Sequence, residues 1–348
     1  MGEPNFHPLE LFPVIIGTMS IALSLFVISQ VFGIGILNLS AELLFLIVAV
    51  TYVISLSWSV FNYIIGRISW RNDFKNPARL SMMSFAAVIF YASGFFYIQY
   101  FGLNNSVAEL LSTLFIIVWF FVFTLNLRLA YLIYNGQIRM SDITYLIIIP
   151  SIVLGAGIII TSVLLPYRFL SEGVNISFSL YMLSLVGFGI SVIQFFLLSS
   201  ISLFSNILNQ SGIRKAGTTM IPLGAASIII LNLILFPTFN DLKILYFPER
   251  FSIDLSIGFW GFEIFVMVTG LLTAFKTIGG NHDISVWAYV FPVGISIFSD
   301  YLLFLFTGFA IFRVSIIAVS AVLFGMYSYS VYHTRKFLRS ARLVAGKM

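Results

Sequence analysis

The sequence predicts an all-α integral membrane protein with ten transmembrane helices paired into five hairpins. Three observations predict it: an apolar composition, ten regularly spaced apolar segments, and prolines that recur at a near-constant interval. Of 348 residues, 60% are hydrophobic and 9% charged, against roughly a quarter charged in a soluble domain. Mean hydropathy is +1.05. No soluble fold hides that much apolar surface, so the chain crosses a bilayer repeatedly. The same composition excludes a disordered chain, a nucleic-acid module and a secreted disulfide scaffold. Cysteine is absent, which removes disulfides, thiolate metal sites and cysteine nucleophiles.

The spans fall at about 11–33, 41–65, 80–101, 108–134, 143–165, 177–204, 217–237, 255–276, 285–306 and 310–332, each near the ~20 residues that cross a hydrocarbon core. Most connections are short, so successive helices run antiparallel, and residues 1–348 form a single transmembrane domain. No basic residue precedes the first span, unlike a cleavable signal peptide. The net charge of +5 reports topology. One side collects Arg67, Arg71, Lys75, Arg79, Arg128, Arg139, Arg214, Lys215, Lys276, Arg335, Lys336, Arg339, Arg342 and Lys347. The other collects Arg168, Lys243, Arg250 and Arg313. This bias places both termini in the cytoplasm. The basic tail 333–348 serves as an anchor for that orientation.

Proline sets the repeat. Pro13, Pro150, Pro222 and Pro292 stand near the starts of odd-numbered spans, 137, 72 and 70 residues apart. The underlying period is about 70, with one member missing in the third span, where Phe85-Ala86-Ala87 stands. A proline within a helix frees the carbonyl four residues back, here those of Leu146, Thr218 and Ala288. Such groups must face protein or water. Small residues follow the prolines: Gly17, Gly155 and Gly157, Gly224, and Gly294. They permit close helix approach or thin a cavity wall. These features predict an inner ring of five kinked odd helices inside an outer ring of even ones.

Polar residues offer little chemistry. His7, His282 and His333 lie at ends or in loops with no metal-ligand spacing, so neither a metal nor a cofactor is expected. No phosphate loop or nucleophile elbow is present. Embedded ionisable residues are the functional suspects. Glu263 lies about 11 Å from the outer end of the eighth span, and Arg128 about 9 Å from the inner end of the fourth, too different in depth to pair readily. Glu263 reads either as a proton-coupling acid or as a neutral, hydrogen-bonded structural acid. Asp300 and Arg313 flank the short turn between the ninth and tenth spans, and a local ion pair is expected. Asp300 is also about 180° around the helix from Phe291. An inner ring with so little fixed charge argues for weak, dipole-based solvation of an ion. Asn38-Leu39-Ser40, Asn104-Asn105-Ser106 and Asn175-Ile176-Ser177 match the glycosylation pattern, which is common by chance.

Several stretches carry a resemblance: Phe12-Pro13…Gly17-Thr18, Asn76-Pro77-Ala78-Arg79-Leu80-Ser81, Gly258-Phe259-Trp260-Gly261-Phe262 and Trp287-Ala288-Tyr289-Val290-Phe291-Pro292. In this order over ten spans, the chain resembles the tellurite-resistance/dicarboxylate transporter family. That family takes in TehA, the yeast malate permease and the slow anion channel of plant guard cells. The resemblance implies five hairpins around a central pore and a homotrimer with one pore per subunit. It also implies a phenylalanine plug on the ninth helix, which matches Phe291. Ala87 stands where bacterial members carry a proline, a departure that affects the third helix. The expected function is an anion channel or channel-like permease in the plasma membrane, passing chloride, nitrate, a dicarboxylate or an oxyanion. The alternative is a proton-coupled transporter of C4-dicarboxylates, sulfite or tellurite, with Glu263 as the acid. An intramembrane enzyme would need clustered catalytic groups, and the sequence offers none.

Overall fold

The computed structural model describes residues 7–138, 144–171, 174–209, 218–242, 246–277 and 284–345. These residues form helices and turns, with no strand among them. Among the described residues, ten helices are long and apolar enough to cross a membrane: Pro8–Phe32, Gly35–Ile64, Pro77–Phe101, Asn105–Tyr134, Tyr145–Leu165, Ser177–Phe204, Thr218–Asp241, Glu249–Phe275, Val286–Thr307 and Ala310–Arg335. Residues 1–6, 139–143, 172–173, 210–217, 243–245, 278–283 and 346–348 lie outside the description. Arg139, Arg214, Lys215, Lys243 and His282 are among them.

Local chemistry sets the helix ends. Asn76 Oδ1 accepts from the N–H groups of Ala78 and Arg79 at 3.0 and 3.3 Å, capping the third span, and Pro77 fills its first position. Asn104 caps the fourth span through the Val107 N–H at 2.9 Å. Gly33 and Gly308 close the first and ninth spans with φ of 69° each. Their N–H groups donate to Ser29 and Phe304 carbonyls at 2.9 and 2.8 Å. Glycine is the residue that adopts this left-handed conformation without a Cβ penalty, so both hairpins turn sharply.

The prolines sit elsewhere than the kinked-helix reading expected. The first, fifth and ninth spans open with 3₁₀ segments, Pro8–Glu10, Tyr145–Ile148 and Ile284–Tyr289. Residues 218–220 open the seventh in the same way. Pro13, Pro150, Pro222 and Pro292 then fall within the first turn of the α-helices that start at Leu11, Ile149, Ile221 and Val290. A first-turn N–H has no intrahelical partner, so proline costs nothing there. On this rule the missing proline is Pro77. Including it makes the spacings 64, 73, 72 and 70. The third span then runs unbroken past Ala87. The freed Leu146 carbonyl is satisfied, because Ser81 Oγ donates to it at 2.7 Å.

Burial separates two classes of helix. Between 61% and 89% of the central window is buried in odd spans, against 22% to 39% in even spans. The first span packs on the third, the third on the fifth, the fifth on the seventh, the seventh on the ninth, and the ninth back on the first. Each even span packs on two odd ones. The even spans direct Ile, Leu and Phe side chains outward, as a surface facing lipid or another subunit requires. The fifth span breaks at Gly157, between Ile149–Ala156 and Ile158–Ser171. Asn232 of the seventh span donates to the Gly155 carbonyl there at 3.1 Å, satisfying a group that the break exposes.

Candidate pore and gate

Two cavities lie inside the ring of odd spans. The one nearer the chain ends is lined from all five: Pro13 and Ile16, Phe85, Ile149 with Ile152 and Val153, Ile221 and Gly224, and Trp287, Ala288, Phe291 and Pro292. The second, nearer the opposite face, is lined by Ile16, Ser20, Leu23, Val88, Ala92, Phe95, Ile159, Phe291, Ile295 and Phe298, among others. Neither has a charged side chain in its wall. Each leaves room for only one or two waters.

Phe291 borders both cavities, so its ring stands at their junction. Phe85 of the third span meets it edge-on, with centroids 6.1 Å apart at 83°. Phe298, two turns further along the ninth span, packs edge-on against Phe95 at 5.3 Å. The sequence reading did not single out Phe85, one of 38 phenylalanines. Its only signal in the sequence is its place in Phe85-Ala86-Ala87, where the proline period has a gap.

The motif residues hold this junction. Trp287 lies one turn before Phe291. Its Nε1 donates to Thr334 Oγ1 at 2.9 Å, and its ring packs edge-on against Tyr327 at 5.5 Å. A Cβ on Gly17 would stand 2.7 Å from the Trp287 ring, so the first span needs glycine there. Gly294 abuts Ser20 of the first span, and Gly155 abuts Ser191 of the sixth. These three glycines serve helix contact and line neither cavity. Gly224 does line the inner cavity, 3.3 Å from Pro292 as measured from an added Cβ. Of the prolines, Pro13 and Pro292 line it, and Pro150 and Pro222 do not.

The carboxylates are placed off the cavities. Glu263, 1% exposed, bridges two inner helices. Ser227 Oγ of the seventh span donates to Glu263 Oε1, and Ser299 Oγ of the ninth donates to the same atom at 3.0 Å. Arg128 is unrelated to it: Arg128 Nε donates to the Phe74 carbonyl at 2.9 Å.

The expected Asp300–Arg313 ion pair does not form. Asp300 is buried at 1% exposure and accepts from Trp260 Nε1 at 2.7 Å and Ser315 Oγ at 2.6 Å. Arg313 instead places its guanidinium 4.9 Å from the centroid of Phe32. Similar depth is insufficient for pairing, because Asp300 is buried against the eighth and tenth spans, away from the ring axis, while Arg313 is exposed. Trp260 thereby explains its place in the Gly258–Phe262 motif. Arg313→Gln and Asp300→Asn are therefore expected to be additive within about 0.5 kcal/mol in thermal unfolding. A larger coupling would restore the pair.

A ring of apolar helices around shut, uncharged cavities is the architecture expected of a membrane channel or permease. The family model described as voltage-dependent anion channel, SLAC1, matches residues 5–334. The chain belongs to this family, which unites SLAC1 with TehA and the malate permease. No curated relative matches it. It is accordingly an integral membrane protein of an anion-transporting family.

Proposed function

We propose that the protein conducts small anions passively through the ring of odd spans, with Phe291 as the plug. The observation that supports this most directly is that Phe291 borders both cavities while no charged group borders either. A fixed cation would bind an anion tightly and slow its exit. Backbone dipoles, hydroxyls and water solvate it weakly enough for throughput. Chloride, nitrate, a dicarboxylate or an oxyanion fits this chemistry. The five hairpins act as a single domain of repeated units. The basic loops put both termini in the cytoplasm of a plasma-membrane protein, and the apolar even spans suit a homotrimer with one pore per subunit.

The proton-coupled reading, with a C4-dicarboxylate, sulfite or tellurite as cargo, would rest on Glu263. Its carboxyl is held by Ser227 and Ser299 and borders neither cavity, which favours the structural role. Liposomes that report anion and proton flux together test this. Wild-type protein is expected to dissipate a chloride or nitrate gradient without proton movement. Glu263→Gln, whose amide serves both serines, should retain that flux. Uphill anion accumulation driven by a pH gradient, lost in Glu263→Gln, would overturn the channel reading.

A further inference from the structure

A polar cavity opens at the chain-end face, lined by His7, Arg67, Ser69, Asn72, Asp73, Asn76 and Arg79. It lies outside the ring cavities and has no part in the conduction reading. Asp73, in the loop between the second and third spans, is its hub. Tyr63 at the end of the second span donates its hydroxyl to Asp73 Oδ2 at 2.6 Å. His7 Nε2, ahead of the first span, lies 3.2 Å from the same oxygen. The two side chains are only 11% and 9% exposed. One turn on, Glu10 and Arg79 pair at 3.3 Å, tying the first span's lead-in to the third span's first turn. Trp70 stacks on Tyr63 at 4.0 Å, and Arg128 holds the Phe74 carbonyl.

We propose that His7 and Asp73 form a proton-sensitive clamp that sets the third span, and through Phe85 the gate. This rests on Phe291 being the plug. Both clamped helices reach the junction: the first supplies Pro13 and Ile16, the third supplies Phe85. The third span is unbroken from Pro77, so it moves as a rod, with Phe85 about two turns from its start.

His7 Nδ1 accepts from the Leu9 N–H at 3.3 Å, which puts the neutral ring's proton on Nε2, the nitrogen 3.2 Å from Asp73 Oδ2. Imidazole is the side chain whose ordinary titration falls between about pH 5 and 8. Protonation forfeits the long Leu9 contact and turns the Asp73 contact into a charge pair, which is the stronger interaction. Arg67 and Arg79 oppose that proton, whereas Asp73 and Glu10 favour it. The opposing charges offset one another, and the direct Asp73 contact decides the sign. The full pair requires His7 protonated and Asp73 ionised. It is present below the imidazole titration and is lost as pH rises through it.

The test uses full-length protein in liposomes at equal pH on both sides, with chloride as the probe. Flux is expected to fall several-fold between about pH 8 and about pH 5.5, across the imidazole range. His7→Gln and Asp73→Asn should flatten that slope, and both retain hydrogen-bonding groups for folding. The melting temperature of wild-type protein should rise on acidification relative to His7→Gln. A slope kept in both variants, or one of opposite sign, overturns the clamp. Phe291→Ala reads the plug separately. If it leaves flux unchanged, the link to the gate falls, and the melting comparison still decides whether the clamp exists.

Discussion

Phe291→Ala is expected to yield a folded protein whose chloride flux in liposomes rises on the order of tenfold or more, because an apolar constriction that excludes water is removed. The ring stands where two cavities meet, and truncation joins them. Ile16, which borders both cavities, and Phe85, which borders the inner one, then remain near that level. A ring face is electron-rich and its edge carries partial positive charge, so an anion passing Phe85 meets a tolerable surface. Stability should change less than the roughly 3–5 kcal/mol typical of a Phe→Ala change in a packed core, since Phe291 is half-buried and faces open space on two sides. The current should reverse near the chloride equilibrium potential and ignore a proton gradient. If the ring merely packs between helices, the same variant loses stability and gains no flux. Folded Phe291→Ala protein with unchanged or lower flux would sink the plug assignment and leave the ten-helix fold standing.

Gly294→Val should be the most damaging substitution for assembly. A Cβ at this position overlaps the Ser20 side chain and comes within 3.1 Å of Ser20 Cα. No rotamer change moves a Cα. The first and ninth spans must therefore separate, and both border the junction at Ile16 and Phe291. Overpacking a core typically costs about 1–3 kcal/mol, and a backbone clash between two inner helices belongs at or beyond the upper end. Detergent-solubilised protein should lose its monodisperse peak in size-exclusion chromatography and melt at lower temperature. Gly258→Val and Gly261→Val provide the contrast: nothing lies within 4 Å of an added Cβ at either site, so both should be tolerated by the isolated chain. Equal damage from all three would refute the steric account of Gly294.

Periodicity and composition were sufficient for the ten spans and for which of them are inner. Both are encoded in one dimension: a bilayer demands about 20 apolar residues per crossing, and helices that must approach closely carry glycine at the contact. Side-chain partnership is not encoded that way. Asp300 and Arg313 are near in sequence and depth, yet they diverge because helix rotation aims Asp300 at Trp260, 40 positions away. Phe85 joins Phe291 across 206 residues, and Ser227 and Ser299 reach Glu263 from two other helices. The prolines lie between these cases. Their spacing is visible in the sequence, but Pro77 escapes a pattern of prolines inside helices because it stands at the first turn of the third span, where a missing N–H costs nothing. The sequence by itself determined the class, the spans and which of the spans are buried. Only the tertiary structure decided what each buried polar or aromatic group touches, because that depends on the rotation of every helix about its own axis. A buried carboxylate must find hydrogen-bond donors wherever packing brings them.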